Sequence, residues 1–382
     1  MPHTYDVIVV GCGGFGSSAM SHLSRRGLRV LGIDRFAPPH DRGSTHGETR
    51  IIRKAYFEHP DYVPLLQRSY QLWDELHERR SAASGTLPPF FERCGLLATG
   101  TMSGEMIPGV LESAKTHGLS VEQLSPGETR ESFPMFRVPE EYTTLFEQDA
   151  GYLWVERCVE AHLADAARHG ATLLTDQVVT EISHTPTSAT VQTLHGSYSA
   201  AAVVVTSGAW TGQLLPDYAR LIEVRRKLLF WYPMNSDAWR GHRPPTYMTE
   251  IPGSNATFYG FPPIDGQTLK MAEHTGGQVV ADPLTVDRCV QPSESASVSD
   301  FAGRFLNGVS TSPVKSAVCM YSMSPDGHFL VDRLQTGPVI VAAGFSGHGF
   351  KFTSAMGEVV ADLVQSGNSR LPIEFLSARR FD

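Results

Sequence analysis

Asp6-Val7-Ile8-Val9-Val10-Gly11-Cys12-Gly13-Gly14-Phe15-Gly16 is the stretch that decides the fold. Its first five residues form an apolar, largely β-branched run, the pattern of a buried strand. The glycines at positions 11, 13 and 16 complete a Gly-x-Gly-x-x-Gly turn. Residues 17–26 then read as a helix closed by Gly27, and residues 28–33 as a second strand ending in Asp34. In such a unit the first glycine permits a tight turn and the second lets backbone approach a pyrophosphate. The third lets the helix pack on the strand. The helix N-terminus offers the phosphates its unpaired N–H groups and the positive end of its dipole. Asp34 lies near the spacing, about 20 residues on, at which an acid accepts a ribose hydroxyl. The ordered unit predicts dinucleotide binding and leaves NAD and FAD both open.

Outside that unit the composition is that of an ordinary globular protein. The chain has 382 residues, 41% hydrophobic and 19% charged, enough for one large domain or two interleaved ones. A net charge of -8 argues against nucleic acid and against an anionic membrane surface. No stretch reaches the ~20 apolar residues of a membrane span. A strand beginning at Tyr5 leaves no room for a signal peptide, so a cytoplasmic protein is expected. The cysteines at 12, 94, 158, 289 and 319 form no close pair of the zinc or redox kind, and no metal site is expected.

The loop after the second strand departs from a plain dehydrogenase. It runs Gly43-Ser44-Thr45-His46-Gly47-Glu48-Thr49-Arg50-Ile51-Ile52-Arg53. Its two arginines flank an apolar pair, which predicts partial burial, and buried arginines need anionic partners such as a carboxylate or phosphate. Further on, residues 202–207 and 338–343 read as buried strands, and residues 353–364 as a helix after a Gly-rich loop. Residues 225–233, 257–261 and 268–272 alternate like antiparallel strands. The Ser-rich residues 293–299 read as an exposed turn between helices.

Several ordered blocks together resemble the monomeric sarcosine oxidase and N-methyltryptophan oxidase family of amine-oxidising flavoenzymes. They are the opening glycines, Ser44 through Arg53, Tyr62-Val63-Pro64-Leu65 and Asp149-Ala150-Gly151-Tyr152-Leu153. Ser207-Gly208-Ala209-Trp210, Tyr259-Gly260-Phe261-Pro262 and Leu269-Lys270 follow. Ala317-Val318-Cys319-Met320-Tyr321, Ser324-Pro325-Asp326 and Gly344-Phe345-Ser346-Gly347-His348-Gly349-Phe350-Lys351-Phe352 carry most of the weight. The resemblance runs essentially end to end. It implies an α/β (mixed α+β) fold of the D-amino-acid-oxidase kind. A Rossmann-type FAD-binding domain from residues 1–85, 150–215 and 316–382 would interleave with a substrate domain from residues 86–149 and 216–315. That second domain would form a roof built on a mixed, largely antiparallel sheet.

The same resemblance implies the site. Cys319 stands where that family joins flavin covalently through a thioether, which makes FAD the cofactor and sets NAD aside. Gly11, Gly13, Gly14, Phe15, Gly16, Asp34 and Arg35 would hold its dinucleotide part. Ser44, Thr45, Arg50, Met320, Gly344, Gly347, His348, Gly349 and Lys351 would border the rest. Arg53 and Lys351 match a clamp for the substrate carboxylate, with Tyr259, Met248 and Gly347 shaping the pocket. Lys270 matches the lysine that activates dioxygen, a fixed charge where negative charge develops. His46 and Arg50 would flank the flavin ring, and His274 would tune the pocket, or only complete a hydrogen bond there. The implied reaction oxidises the C–N bond of a secondary amino acid by hydride transfer and then reduces dioxygen to hydrogen peroxide. The imine hydrolyses to an aldehyde and an amine. Partners would be the amino acid and dioxygen, and the protein a monomer. Thr45, Glu48, Ser322 and Ala272-Glu273 depart from the family's usual residues beside the pocket, so the particular amine stays open. A flavin-dependent dehydrogenase, or an oxidase of imino acids or glycated amino acids, is the alternative on the same fold.

Overall fold

The computed structural model describes residues 4–85, 87–235, 237–239, 244–254 and 256–382. The strand Tyr5–Val10, the helix Gly14–Arg25 and the strand Val30–Ile33 form the opening unit. Tyr5–Val10 pairs in parallel with Val30–Ile33 on one side and with Gly196–Val205 on the other. Thr172–Leu174 and Val339–Ala343 extend the parallel sheet in the two directions, so its five strands come from three distant stretches of chain. Antiparallel strands complete an eight-stranded sheet.

Both faces of this sheet are covered. Val7 and Val9 pack with Met20, Leu23, Val359 and Val360 from the helices, while Ile8 and Val10 join Leu31, Val203 and Val341 on the other face. Apolar residues on both sides are what a buried parallel strand needs, and that is why the run at 6–10 does not alternate. The helix Gly14–Arg25 packs against Val155–Arg168 and Thr353–Ser366.

The second large sheet has nine strands, one pair parallel and the rest antiparallel. Its longest member, Glu223–Pro233, is buried on both faces along its second half. Phe230 and Tyr232 pack outward under Val298, Phe301 and Phe305 of the helix Ala296–Phe305. Leu229 and Trp231 pack with Met248, Tyr259, Ala272 and Cys319 on the opposite face, the one that carries the chemistry. The strand Lys315–Met323, which holds Cys319, pairs along its whole length with Glu223–Pro233. The boundary expected at residue 316 therefore runs through a strand of the roof sheet. A small third sheet joins Thr49–Ile52, Gly151–Trp154 and Phe91–Arg93.

One expectation is corrected. Residues 293–299 are not a turn between helices: Pro292–Ser295 is a 3-10 turn leading directly into the helix Ala296–Phe305. The Gln291–Glu294 capping box starts the turn, and Val298, Phe301, Ala302 and Phe305 give the segment a buried helical face. Serines mask that signal at the sequence level.

Candidate active site

A groove of about 400 Å³ lies at the C-terminal ends of the strands Tyr5–Val10, Val30–Ile33 and Gly196–Val205. Ligands of open α/β sheets bind at such ends. Gly11, Gly13, Gly14 and Phe15 line it beside the helix N-terminus, whose first turn has no acidic residue and whose cap makes no side-chain hydrogen bond. The Gly14 N–H donates to the Thr45 hydroxyl at 3.3 Å, and the rest of that helix end faces the groove. Gly11 has a φ of 85°, and a Cβ there would run into the backbone of Ser207. Asp34 and Arg35 line the groove. The Asp34 carboxylate also braces the glycine turn, accepting the N–H of Cys12 at 2.6 Å and of Phe36 at 2.9 Å. Ser44, Thr45, Arg50, Met320, Gly347 and Gly349 line the remainder.

Of the residues expected to border the cofactor, His348 and Lys351 line the adjoining smaller cavity instead, and Gly16 and Gly344 serve the groove only indirectly. Gly16 backs onto the Gly11 carbonyl, and Gly344 turns against Leu330, so each admits a close packing contact. The helix N-terminus, the glycine turn and the sheet-end groove fit FAD. The pyrophosphate would be held at the turn and the ring system would lie toward Arg50, Met320 and Cys319.

Cys319 is buried beside the groove. Its thiol faces the Ser44 carbonyl at 3.6 Å, and an Arg50 N–H donates to Sγ at 3.5 Å. Burial pushes this thiol up, but His46 and Arg50 outweigh it and bring the pKa down to about 6. The other buried cysteines go the opposite way: burial raises Cys12 and Cys158 well above an ordinary thiol. Cys319 alone of these three is poised as a thiolate, the nucleophilic form.

A second cavity of about 50 Å³ adjoins the groove and shares Arg50, Tyr321, Gly347 and Phe350 with it. Arg53 and Lys351, from opposite ends of the chain, both line it, with Met248, Tyr259, His274 and His348. Lys351 Nζ donates to the His348 carbonyl at 2.7 Å, and the Tyr56 hydroxyl lies 2.6 Å from His348 Nδ1. Burial, followed by the charge of Arg53, lowers Lys351 to about 7. His274 is brought to about 3 and His348 to about 4, chiefly by burial, so both rings are neutral at physiological pH. Gly347 has a φ of 81°, and a Cβ there would strike the Tyr321 ring.

Sequence reasoning missed one member. Glu58 lines the same cavity and accepts from Arg53 Nη2 at 2.7 and 2.9 Å. Burial pushes its carboxyl up, but Arg53, His348 and Lys351 outweigh burial and hold it at about 2. A lone acid five residues after Arg53 carries no motif. Only the demand that a buried arginine be paired pointed toward it. Tyr321 was visible as part of the Cys319 block, but its place in both cavities was not.

Lys270 lies on the inner face of the roof sheet, buried against Phe261. Its ammonium donates to the Gly47 carbonyl, to the Thr49 carbonyl at 2.8 Å and to the Thr49 hydroxyl at 3.1 Å. Burial, reinforced by Arg50, lowers its pKa well below that of a free lysine. Three acceptors thus aim one ammonium at the loop that also carries His46 and Arg50. Among the described residues no cluster suits a metal ion, and no helix is long and apolar enough to cross a membrane.

Such a groove, with a roof that brings cations to its ring end, defines a flavin-dependent oxidoreductase. The model of the FAD dependent oxidoreductase family matches residues 6–363, and the chain belongs to that family. It is 39% identical to a monomeric sarcosine oxidase of Streptomyces avermitilis, over 100% of this chain and 98% of that protein. It is 37% identical to a monomeric sarcosine oxidase of a Bacillus species, over 98% and 96% of the two chains. It is also 37% identical to an N-methyl-L-tryptophan oxidase of Yersinia pestis, over 99% of each. Among solved structures, that of NikD, an amino acid oxidase of nikkomycin biosynthesis (Tyr258Phe mutant, in that protein's numbering), superposes with a TM-score of 0.86 at 24% identity. It covers 98% of this chain and 97% of its own. That likeness concerns the fold.

Proposed function

We propose that this protein is a monomeric oxidase of small N-methyl amino acids, sarcosine foremost, working on FAD joined to Cys319. One observation carries the reading. Arg50, Arg53 and Lys351 face a single carboxylate, Glu58, in a cavity of about 50 Å³ that opens on the groove. The surplus positive charge calls for an anion, and the volume is far below the about 300–1,000 Å³ of sites for drug-sized ligands. A carboxylate with a minimal side chain satisfies both conditions; an indole does not satisfy the second.

FAD held in the groove would supply the two-electron redox chemistry, with dioxygen as the final acceptor. The chain's own residues do the rest. Arg53 and Lys351 grip the substrate carboxylate and fix the N-methyl carbon toward the groove. Their charge, with that of Arg50, disfavours a protonated amine in the cavity, so the substrate enters with its amine already deprotonated to bulk water and its lone pair exposed. Tyr259 and Tyr321 are raised by burial and stay protonated, and His274 is neutral, so these three rings add no charge of their own. Met248, Ile51 and Phe350 keep water out. Lys270, fixed by its three acceptors, provides a positive charge for dioxygen reduction.

A peroxide-coupled assay over sarcosine, N-methyl-L-tryptophan and cyclic imino acids tests the proposal. Sarcosine should give the highest kcat/KM. A preference for N-methyl-L-tryptophan would refute the size argument, and substrate-dependent flavin reduction without peroxide would make the protein a dehydrogenase.

A further inference from the structure

Lys227 is a buried lysine for which the chemistry above has no use. It sits on Glu223–Pro233 directly opposite Cys319, so the two side chains leave the sheet on the same face. On its other edge that strand has two partners. Thr268–Glu273 pairs with Phe230 to Pro233, and Gln278–Val279 pairs with Arg225 and Arg226. Lys227 stands at the start of the gap between them. The chain bridging that gap is His274-Thr275-Gly276-Gly277, in which Gly276 and Gly277 have φ values of 67° and 109°. A loop that leaves the ladder there has carbonyls in need of donors. The Lys227 ammonium supplies them, donating to the Thr275 carbonyl at 2.5 Å and to the Gly276 carbonyl at 3.3 Å. It also lies 5.3 Å from the centre of the Tyr321 ring. The nearby carboxylate of Glu273 is engaged elsewhere, by Thr275 at 3.3 Å and Ser297 at 2.8 Å.

The loop that Lys227 holds begins at a pocket wall. His274 begins the loop, its N–H donating to the Thr257 carbonyl at 2.7 Å, and its ring lines the small cavity with Nδ1 3.4 Å from the Tyr321 hydroxyl. We infer that Lys227 is a positioning residue that staples the loop 274–277 across the gap in the roof sheet, and that it thereby sets the placement of His274 and Tyr321 around the bound amino acid. Burial lowers Lys227 to about 8, with Glu273 opposing the shift, so the ammonium is still largely charged at neutral pH. The same charge helps to keep His274 unprotonated.

The inference rests on the small cavity being the substrate site, and the test separates the two. In the flavin-loaded enzyme, Lys227→Met, Lys227→Gln and Lys227→Arg are compared by hydrogen exchange of the peptide covering 274–277 and by steady-state kinetics on sarcosine. Loss of both bonds should speed exchange in that peptide about tenfold and raise KM by about the same factor, with kcat falling less than about twofold. Arginine should restore most of both, and glutamine, which keeps one bond, should fall between; it also serves if the methionine variant does not fold. Unchanged exchange in the methionine and glutamine variants overturns the staple. Faster exchange with unchanged KM overturns its role in placing the walls. Wild-type inactivity on every secondary amine would sink the substrate reading instead, while the exchange result would still decide the staple.

Discussion

Buried Arg53 and partly buried Glu58 form an ion pair in which one guanidinium nitrogen, Nη2, serves both carboxylate oxygens, at 2.7 and 2.9 Å. The arginine is further held by the Ala55 carbonyl at 2.8 Å and by the Tyr56 ring, 4.1 Å from its centre. The proposed carboxylate clamp thus already contains a carboxylate. A substrate must share Arg53 with Glu58, and Lys351 tips that balance toward the incoming anion.

The clamp should titrate. Lys351, at about 7, is protonated below that pH and loses its charge above it. Binding of a carboxylate with no amine, such as propionate, should therefore weaken as pH rises through neutrality, measured by perturbation of the flavin spectrum. Glu58 raises the Lys351 pKa, so in Glu58→Gln the same limb should move to lower pH. A limb that stays in place would separate Glu58 from the lysine.

Arg53→Met removes the half of the clamp that does not titrate in this range. Charge-assisted hydrogen bonds are worth about 1.5–3 kcal/mol, so affinity for the same carboxylate should fall by about 10- to 150-fold. Glu58 would be left without its partner, and its pKa should rise. Flavin reduction at saturating substrate should suffer less than KM. The reverse ordering would assign Arg53 to the chemical step.

Lys270→Met should slow reoxidation of the reduced flavin by about 10²-fold or more while leaving its reduction by substrate within about tenfold. Stopped-flow measurement of the two half-reactions separates them. Equal slowing of both would mean that Lys270 acts by holding the Gly47–Thr49 loop, whose carbonyls it binds, and not through dioxygen.

Cys319→Ser should release the flavin on acid precipitation, leaving a colourless pellet where the wild type stays yellow. His46→Asn tests the thiolate. With His46 gone the Cys319 pKa should climb from about 6, so attachment to added FAD should slow at neutral pH and recover as pH rises. A pH-independent rate would remove the thiolate from the rate-limiting step.

The sequence determined a good deal. The run at 6–16 is local chemistry: β-branched residues favour a strand, and Gly11 and Gly16 permit close approaches that a side chain would block. Its strand, turn and helix could be read without knowing their neighbours. Ordered blocks marked Cys319, Arg53, Lys270 and Lys351; Arg53 and Lys351 line the smaller cavity, Cys319 contacts Ser44 and Arg50 of the groove, and Lys270 binds the loop that carries Arg50. What the tertiary structure alone decided were the partners. Glu58 on Arg53, the three acceptors of Lys270 and the gap spanned by Lys227 are set by which strands meet, and those strands come from distant stretches. The protonation states belong to that level too. Cys12 and Cys319 are both buried cysteines, yet one is pushed up by burial and the other brought down by His46 and Arg50. A side chain's charge depends on the groups the fold packs around it, and a residue read alone carries no record of them.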